Sequence, residues 1–363
     1  MARAGEITTA RGTIQTPIFM PVGTRATVRG VPLRDLEAAG ADIILGNTYH
    51  LYLRPGTDIL KKTGGLHRFN AWSKPILTDS GGYQVFSLSE LRKLTADGVR
   101  FQSHIDGSYH WFTPENVIET QRAIGSDIMM VLDECPPYPC DHRYAKTSND
   151  ITMKWAKRCQ IAARDSEPLY GFHQALFPIV QGGIYKDLRE SSAGTLVDMD
   201  FEGYAIGGLS VGEPADIMYE LTEWVTPKLP AEKPRYLMGV GTPANILECI
   251  ARGVDMFDCV MPTRNGRNAN VFTSQGTMNM RNVKFTDDER PMDESCTCYA
   301  CRTYSRAYIR HLFSVQEMLG PMMASVHNVH FYLWLVKESR RRILDGSFSS
   351  WYPGMSKSLM VRI

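Results

Sequence analysis

Residues 255–267 read Asp-Met-Phe-Asp-Cys-Val-Met-Pro-Thr-Arg-Asn-Gly-Arg. This short apolar run encloses one carboxylate, Asp258, and is ended by a proline. It is typical of a strand that is buried on both faces of a parallel sheet. Two arginines, Arg264 and Arg267, follow it. A carboxylate beside anion-binding side chains indicates a nucleophile or a base that is held against a phosphate-bearing substrate.

Similar segments occur earlier in the chain, and together with this run they make eight. They are residues 18–22, 41–46, 75–78, 127–132, 177–180, 204–208, 236–240 and 255–260. Helix-like stretches lie between most of them, at 32–39, 114–124, 149–164, 186–196, 214–225 and 243–252. Eight strands that alternate with helices predict an α/β protein with a (β/α)8 TIM barrel. An open, doubly wound sheet is the alternative, but no dinucleotide fingerprint follows the first strand.

The sequence also predicts how the chain is divided. Residues 1–267 form the catalytic barrel, whose last helical elements come from the C-terminal region. Asp97-Gly98 and Asp106-Gly107 are turn pairs within residues 93–112, which predicts a hairpin insertion before the fourth strand. Residues 268–330 form a zinc-binding insertion, and residues 331–363 form a C-terminal helix and tail that pack on the barrel.

Composition describes an ordinary soluble protein. Of 363 residues, 43% are hydrophobic and 22% are charged, and the net charge is +1. Residues 258–363 contain 14 Lys or Arg and 9 Asp or Glu, a net +5 beside the two arginines. No secretory leader is visible, and the apolar run at 331–336 is too short to span a bilayer. We therefore expect a cytoplasmic protein that does not associate with membranes.

The ends of the strand-like segments hold groups suited to a planar, hydrogen-bonding ligand. Any one of them could cap a helix or serve a turn, but the loops after the strands of a barrel form one mouth. The groups are Asn47, residues 79–83 (Asp-Ser-Gly-Gly-Tyr), residues 133–135 (Asp-Glu-Cys), Gln181, residues 207–212, residues 238–241 and Asp258. Glycine amides suit a carbonyl oxygen, carboxylates suit ring N–H groups, and Tyr83 and Met238 can stack on a flat ring.

A cluster of three cysteines indicates a metal site. Cys296, Cys298 and Cys301 lie within six residues, and a tetrahedral zinc site needs a fourth ligand. His311, His327 and His330 are the candidates. A closed Cys3His site would be structural, with one Zn2+ per chain. Free thiols in a reducing compartment are the alternative.

In combination, these motifs resemble the tRNA-guanine transglycosylases. The Asp-Ser-Gly-Gly-Tyr motif at 79–83, the Gly-Gly-Leu-Ser-Val-Gly-Glu run at 207–213, the segment 256–264 and the Cys-x-Cys-x2-Cys…His set occur in that family's order. The resemblance extends along nearly the whole chain. It implies that guanine at the wobble position of GUN-anticodon tRNAs is exchanged for a 7-deazaguanine in queuosine biosynthesis. The expected intermediate is a covalent aspartyl–RNA ester, and the expected partners are the tRNA anticodon stem-loop, the 7-deazaguanine base and a second copy of the chain in a homodimer.

The resemblance also implies a role for each matched residue. Asp258 corresponds to the nucleophile, Asp79 to the general acid and base, and His327 to the fourth zinc ligand. The predicted base-binding set is Ser80, Gly81, Gly82, Tyr83, Asp133, Cys135, Gln181, Gly207, Gly208, Leu209 and Met238. The predicted RNA-contacting set is Gly239, Val240, Gly241, Thr242, Pro243, Ala244, Asn245, Thr263, Arg264, Asn265, Gly266 and Arg267.

Few residues of the sequence bear on which 7-deazaguanine base enters. Cys135 and Val211 match the bacterial pattern, which implies 7-aminomethyl-7-deazaguanine, whereas a wider pocket for queuine would favour glycine at 211. A queuine-inserting variant, a non-catalytic RNA-binding subunit and an unrelated nucleoside hydrolase are the alternatives.

Overall fold

The structure, a computed structural model, describes residues 1–87 and 92–363, with residue 87 described by its backbone only. The strands are β1 (Gly5–Thr9), β2 (Gly12–Thr16), β3 (Ile18–Gly23), β4 (Ile44–Gly46), β5 (Ile76–Thr78), β6 (Arg92–Leu94), β7 (Val99–Gln102), β8 (Tyr109–Phe112), β9 (Ile128–Met130), β10 (Ala175–Phe177), β11 (Ile179–Val180), β12 (Tyr204–Ile206), β13 (Arg235–Leu237), β14 (Met256–Cys259), β15 (Asn270–Thr273) and β16 (Gly276–Asn279).

The helices are α1 (Leu33–Ala38), α2 (Thr48–Leu53), α3 (Thr57–Thr63), α4 (Gly65–Asn70), α5 (Gly82–Ser87), α6 (Pro114–Ile124), α7 (His142–Arg164), α8 (Lys186–Asp198), α9 (Ala215–Val225), α10 (Pro243–Ala251), α11 (Met261–Arg267), α12 (Tyr299–Thr303), α13 (Arg306–Ser314), α14 (Leu319–Leu344) and α15 (Phe348–Leu359). Single 3-10 turns occur at Thr226–Lys228 and Val283–Phe285. None of the helices in the described ranges is long and apolar enough to cross a membrane.

The predicted barrel is confirmed. Each of the eight predicted segments contains a strand, and these strands pair in parallel in the order β10-β9-β5-β4-β3-β14-β13-β12-β11. Only Pro178 separates β10 from β11, because proline has no N–H with which to continue the ladder. The first and last members of the order are therefore one chain segment, and the sheet returns to its start as a barrel rather than ending in two open edges.

The predicted hairpin insertion is confirmed as the antiparallel pair of β7 and β8, and a third strand, β6, extends it into a three-stranded sheet. Asp97-Gly98 joins β6 to β7, with Leu94 opposite Val99, and β7 then pairs with β8. The additional strand, β6, begins with Arg92 and Lys93. Two adjacent charges do not show the alternation that identifies a strand in sequence, so this strand was missed.

The predicted bounds of α6 are confirmed, whereas those of α7 are wrong at its start. Thr113 caps α6 through a capping box, as its sequence indicates. The helix predicted to begin at residue 149 begins at His142, because the side chain of Asp141 accepts a hydrogen bond from the Tyr144 N–H and caps it seven residues earlier.

The C-terminal region packs against the barrel through one long helix. Helix α14 contacts α11, β3, α10, α12 and α13, and α15 packs on α10. Because α14 is continuous from Leu319 to Leu344, the proposed boundary between residues 330 and 331 lies inside a helix. The metal-binding region and the C-terminal segment therefore share an element.

An ion pair stabilises the end of the barrel away from the strand carboxyl ends. Arg3 donates to both oxygens of Asp255, which lies just before β14, and the Nε–Oδ1 distance is 2.9 Å. Asp255 also accepts from the Arg235 N–H, and its side chain is only 3% exposed. Breaking a buried pair leaves an uncompensated charge.

We expect Arg3→Ala to lower the free energy of unfolding by about 2 kcal/mol, because Asp255 stays buried without its cation. Chemical denaturation would measure the change. Arg3→Lys should lose less, since it keeps the charge without the two-pronged contact. Arg143→Ala, on the exposed side of α7, is the control. Equal stability of Arg3→Ala and Arg143→Ala would contradict the proposed contribution.

Candidate active site and metal centre

The carboxyl ends of the barrel strands bring the predicted polar groups to one rim. Asp79 follows β5, Asp133 lies beyond β9, Gln181 follows β11 and Gly207 follows β12, while Asp258 lies within β14. Because all these strands are parallel, their carboxyl ends share one side of the barrel. Residues that are 179 positions apart in the chain are thereby placed around a single mouth.

Asp79 is a buried carboxyl group that is surrounded by donors. Its Oδ1 accepts from the backbone N–H of Thr48 (2.8 Å) and Gly81 (3.1 Å), and its Oδ2 accepts from Asn47 Nδ2 (2.7 Å) and Gln84 Nε2 (3.2 Å). Burial first, and the charge of Asp258 second, raise the pKa of Asp79 to about 7, although these donors lower it. Asp79 can therefore hold or release a proton near neutral pH.

The two carboxylate oxygens of Asp258 differ in their hydrogen bonds. Its Oδ1 accepts from the Tyr236 hydroxyl (2.6 Å) and from the Gly239 N–H (2.8 Å). Among the described residues, nothing hydrogen-bonds to its Oδ2. Burial raises the pKa of Asp258, and the two donors oppose that effect. The arrangement fixes the carboxylate while leaving Oδ2 available for attack.

The thiols at this rim are poor competitors for the role of nucleophile. Burial, followed by the Asp258 charge, raises the pKa of Cys259 to about 11. Burial, followed by Asp133 and Glu134, raises the pKa of Cys135 to about 12. Both thiols are protonated at neutral pH, and a thiol is a far weaker nucleophile than a thiolate.

Asp133, Ser80 and Gln181 form a second polar group. Ser80 Oγ donates to Asp133 Oδ1 (3.1 Å), and Gln181 Nε2 donates to Asp133 Oδ2 (2.8 Å). Burial raises the pKa of Asp133 to about 6. The Oε1 of Gln181 is buried and has no hydrogen-bond partner among the described residues. A buried amide oxygen in that state indicates a missing donor, such as a ligand N–H.

Glycine is required at two positions that line this group. A Cβ on Gly82 would lie 2.8 Å from the Asp133 carbonyl oxygen, and one on Gly208 would lie 2.4 Å from Gln181 Oε1. Gly208 also has a φ of +63°, which L side chains rarely adopt. The loop after Gly208 is held by Glu213, whose carboxylate accepts from the Ser210 and Val211 N–H groups.

The predicted stacking residues lie at the ends of different strands. Tyr83 is in α5 and is 57% exposed, and Met238 follows β13 and is half-buried. Leu209, the neighbour of Gly208, is buried. An exposed tyrosine ring at the rim is available to a planar ligand.

The predicted RNA-contacting residues lie in two segments. Residues 239–245 form a turn into α10, where Thr242 caps the helix and Pro243 begins it; Val240 and Ala244 are buried, and the carbonyl of Gly241 accepts from the Tyr332 hydroxyl. Residues 263–267 lie in α11, a helix that the sequence did not predict. Thr263 and Gly266 are buried there, Asn265 is half-buried and Arg264 is exposed.

Several residues that hold the two carboxyl groups were not assigned a role from sequence. Asn47, Thr48 and Gln84 donate to Asp79 or its backbone, and Tyr236 donates to Asp258. The sequence could have assigned Asn47 to the site, since it is a polar residue at a strand end. It gave less indication for Tyr236, because a tyrosine in an apolar strand is usually part of the core.

The cysteine cluster is brought together with one histidine. The ligand atoms of Cys296, Cys298, Cys301 and His327 all lie within 4.8 Å of one another. Three soft sulfur donors and one imidazole in this arrangement could hold a metal ion as a closed tetrahedral set. No coordination position would remain for a water molecule, so the site suits a structural rather than a catalytic metal.

The fold selects His327 from the three candidate histidines. His327 Nδ1 lies 3.2 Å from Cys301 Sγ and 3.8 Å from Cys298 Sγ, and its Nε2 donates to the Phe272 carbonyl (2.7 Å). That hydrogen bond leaves Nδ1 free to bind a metal. Among the described cysteines, His330 approaches Cys296 alone, and His311 is exposed on α13.

We expect Asp258→Asn to lower the pKa of Asp79 from about 7, because it removes a nearby negative charge. The value should stay above 3.8, because burial, the larger cause, is unchanged. The substitution suits the site, since the amide oxygen can accept from Tyr236 and Gly239. NMR titration of the Asp79 carboxyl carbon would measure it. Asp150→Asn, on the exposed side of α7, is the control, and an unchanged Asp79 pKa in Asp258→Asn would refute the coupling.

Comparison with known proteins gives the family. The family model described as queuine tRNA-ribosyltransferase matches residues 1–359. Proteins with that name are 58% identical over 342 residues in Caldanaerobacter subterraneus subsp. tengcongensis (94% of this chain, 90% of the relative), 57% over 350 in Lawsonia intracellularis (96% and 93%) and 55% over 350 in Nitratidesulfovibrio vulgaris (96% and 92%). The chain therefore belongs to the queuine tRNA-ribosyltransferase family of pentosyl-transferring enzymes.

Proposed function

We propose that this enzyme replaces guanine at the wobble position of GUN-anticodon tRNAs with 7-aminomethyl-7-deazaguanine in queuosine biosynthesis. The observation that carries the proposal is the pair of carboxyl groups at the mouth. Asp258 has one oxygen held and one available, and Asp79 has a pKa near 7. Such a pair suits a nucleophile and a proton carrier.

In the first half of the reaction, Asp258 Oδ2 attacks C1′ of the ribose. The bond from C1′ to N9 of guanine breaks, its electron pair goes to the base, and protonated Asp79 supplies a proton to it. The product is a glycosyl ester of Asp258 with inverted configuration. The Tyr236 hydroxyl and the Gly239 N–H keep the carboxylate aligned through Oδ1, which does not react.

In the second half, the incoming base gives its N9 proton to ionised Asp79. N9 attacks C1′, the ester bond breaks, and Asp258 regains its carboxylate. Two inversions give net retention, as in retaining glycosidases. Because one N-glycosidic bond replaces another, the exchange needs no nucleotide cofactor.

We assign recognition of the base to two sets of residues. One is the hydrogen-bonded group of Asp133, Ser80 and Gln181, and the other is the loop at residues 207–209. The Asp133 carboxylate suits ring and amino N–H groups, and the buried, unpartnered Gln181 Oε1 suits one more donor. Ser80, Gly81 and Gly82 line the base-binding pocket. Tyr83 and Met238 stack on the ring of the bound base. These groups can read a base only after it leaves the stack, so we propose that the anticodon loop is splayed open.

A group of arginines supports the RNA side of the proposal. The pKa of Arg267 is lowered by burial and then by the charges of Arg29 and Arg264, so three cations lie close together. Arg267 Nη1 is buried, and no residue in the described ranges forms a hydrogen bond with it. Phosphate oxygens would neutralise the three cations, accept a hydrogen bond from Nη1 and fix the register of the tRNA.

We also propose, from the family resemblance, that two copies form a homodimer around one tRNA.

We propose that the Cys3His cluster holds one structural Zn2+. Buried thiols of Cys298 and Cys301 beside the Nδ1 of His327 match the donors that zinc prefers. When bound, the ion would tie α12 to α14 and take no part in the reaction. The four ligand residues belong to segments that are otherwise separated by α13.

We expect wild-type protein to incorporate labelled guanine into a GUN-anticodon tRNA and Asp258→Asn to incorporate essentially none. The amide cannot form the glycosyl ester, although tRNA binding should survive because the substitution preserves shape. The wild type should form an adduct with RNA that survives denaturation, and Asp258→Asn should not. Asp150→Asn is the matched control for loss of one carboxylate.

Three outcomes would decide between the candidate functions. tRNA binding without exchange in the wild type would indicate a non-catalytic subunit. Release of free base from nucleosides without an adduct would indicate a hydrolase. Parallel assays with guanine, 7-aminomethyl-7-deazaguanine and queuine should show uptake of the first two, and preferred uptake of queuine would overturn the assigned base.

We expect elemental analysis of the purified protein to give one zinc per chain. Cys298→Ala should lower both zinc content and melting temperature, because a structural metal contributes to folding directly. Cys249→Ala, which removes a buried cysteine of α10 outside the cluster, is the control for cavity formation. Folded wild type without metal, together with normal stability of Cys298→Ala, would refute the site.

A further inference from the structure

A buried arginine beside the mouth has no carboxylate partner in the described chain. Arg189 lies in the first turns of α8 and its side chain is fully buried. Burial lowers its pKa to about 10, so it is still charged at neutral pH. Burying an unpaired charge is costly, and a fold that keeps one needs the charge to be well solvated by hydrogen bonds.

Backbone carbonyls from two loops provide that solvation. Arg189 Nε donates to the Gly183 carbonyl (2.7 Å), Nη1 and Nη2 both donate to the Gly207 carbonyl (3.1 Å each), and Nη2 also donates to the Gly208 carbonyl (3.2 Å). The guanidinium thus joins the loop after β11 to the loop after β12. These loops also contain Gln181 and Gly208, which were assigned to base recognition.

The geometry of the peptide bond determines the direction of the amides. A peptide group is planar and trans, so its C=O and N–H point in opposite directions. Because the Gly207 carbonyl points at Arg189, the N–H of Gly208 points away from it. No hydrogen bond within the described ranges uses that N–H, and Gly208 lies beside the Gln181 carboxamide. A cation on the carbonyl also polarises the peptide, which makes the N–H a stronger donor.

We infer that Arg189 is a positioning residue, which orients the Gly207–Gly208 peptide so that the Gly208 N–H donates to the exocyclic carbonyl oxygen of a guanine-type base. The inference rests on the proposed function for the identity of the base. Arginine is needed because its planar fork can donate to three carbonyls at fixed angles. A lysine ammonium at the end of a flexible chain cannot reproduce that set.

We expect Arg189→Lys to weaken equilibrium binding of guanine about tenfold, the usual effect of losing one good hydrogen bond to a buried group. Binding of 6-thioguanine should weaken much less, because its sulfur is a poor acceptor and gains little from the amide in wild type. The ratio of the two dissociation constants should therefore move toward one. In exchange assays, KM for guanine should rise.

Arg235→Lys is the matched control. Arg235 is also buried and also donates to backbone carbonyls, those of Leu229 and Gly253, but it lies at the opposite end of the barrel. It should lower stability without altering the preference between the two bases. Equal losses of guanine and 6-thioguanine binding in Arg189→Lys would show a merely structural role and overturn the inference.

A measurement on the wild type guards against variants that do not fold. The Gly208 amide resonance should shift on addition of guanine and shift less with 6-thioguanine, and the absence of any guanine-induced shift would overturn the inference. Binding is measured separately from turnover, so the two proposals fail differently. Guanine binding without exchange would overturn the proposed function alone, and binding of neither base would overturn both.

Discussion

The site depends on the parallel pairing of the last barrel strand with the first. β14 lies beside β3 with Met256 opposite Ile18 and Asp258 opposite Met20. This pairing closes the sheet, and because every barrel strand is parallel to its neighbours, their carboxyl ends share one rim. Without it, Asp258 would lie at an open edge, far from the loop that contains Asp79. The apolar run that encloses one carboxylate is therefore both the closing strand and the support for the candidate nucleophile.

Placing three carboxyl groups on one enclosed rim has a cost in stability that depends on pH. Folding raises the pKa of Asp79 to about 7 and that of Asp133 to about 6, from an ordinary 3.8, and it also raises the pKa of Asp258. A carboxyl group with a raised pKa binds its proton more tightly in the folded state. Its favourable contribution is therefore complete at acid pH and is lost as pH rises, between about 4 and 7 for Asp79. The folded state is therefore less stable at the pH where these carboxyl groups are ionised and can react, as is common for catalytic groups.

The sequence was most informative where periodicity and residue chemistry coincide. Buried apolar runs identified all eight barrel segments, and strand-end polarity located Asp79, Asp133 and Gln181 on one rim. It failed where a role depends on three-dimensional neighbours. Arg189 resembles an ordinary polar residue of a helix in sequence, and nothing in its spacing relates it to the Gly207 carbonyl.

Similar limits apply to the hairpin, the RNA-contacting helix and the metal ligands. Strand β6 was missed because its charged residues lack alternation. Helix α11 was not among the predicted helices, and its Pro262, Asn265 and Gly266 are turn-forming residues that give no helical signal. Spacing alone left His311, His327 and His330 equivalent. Only the position of α14 decides between them, because it places His327 between the cysteines and the Phe272 carbonyl.

Helix α14 connects the cysteine cluster to α11, the helix that contains Arg264 and Arg267. His327 is followed by Asn328, whose Nδ2 donates to the carbonyls of Pro262 (3.0 Å) and Asn270 (2.9 Å) and whose Oδ1 accepts from the Phe272 N–H (3.0 Å). One turn earlier in α14, Ser325 lies very close to Gly266. A Cβ on Gly266 would be 2.7 Å from the backbone nitrogen of Ser325. The same turns of α14 thus contact the cysteines on one side and α11 on the other. A metal ion that fixes His327 would also fix the helix that presents Arg264 and Arg267, so a structural metal site can set the position of the two cations that follow Asp258 in the chain.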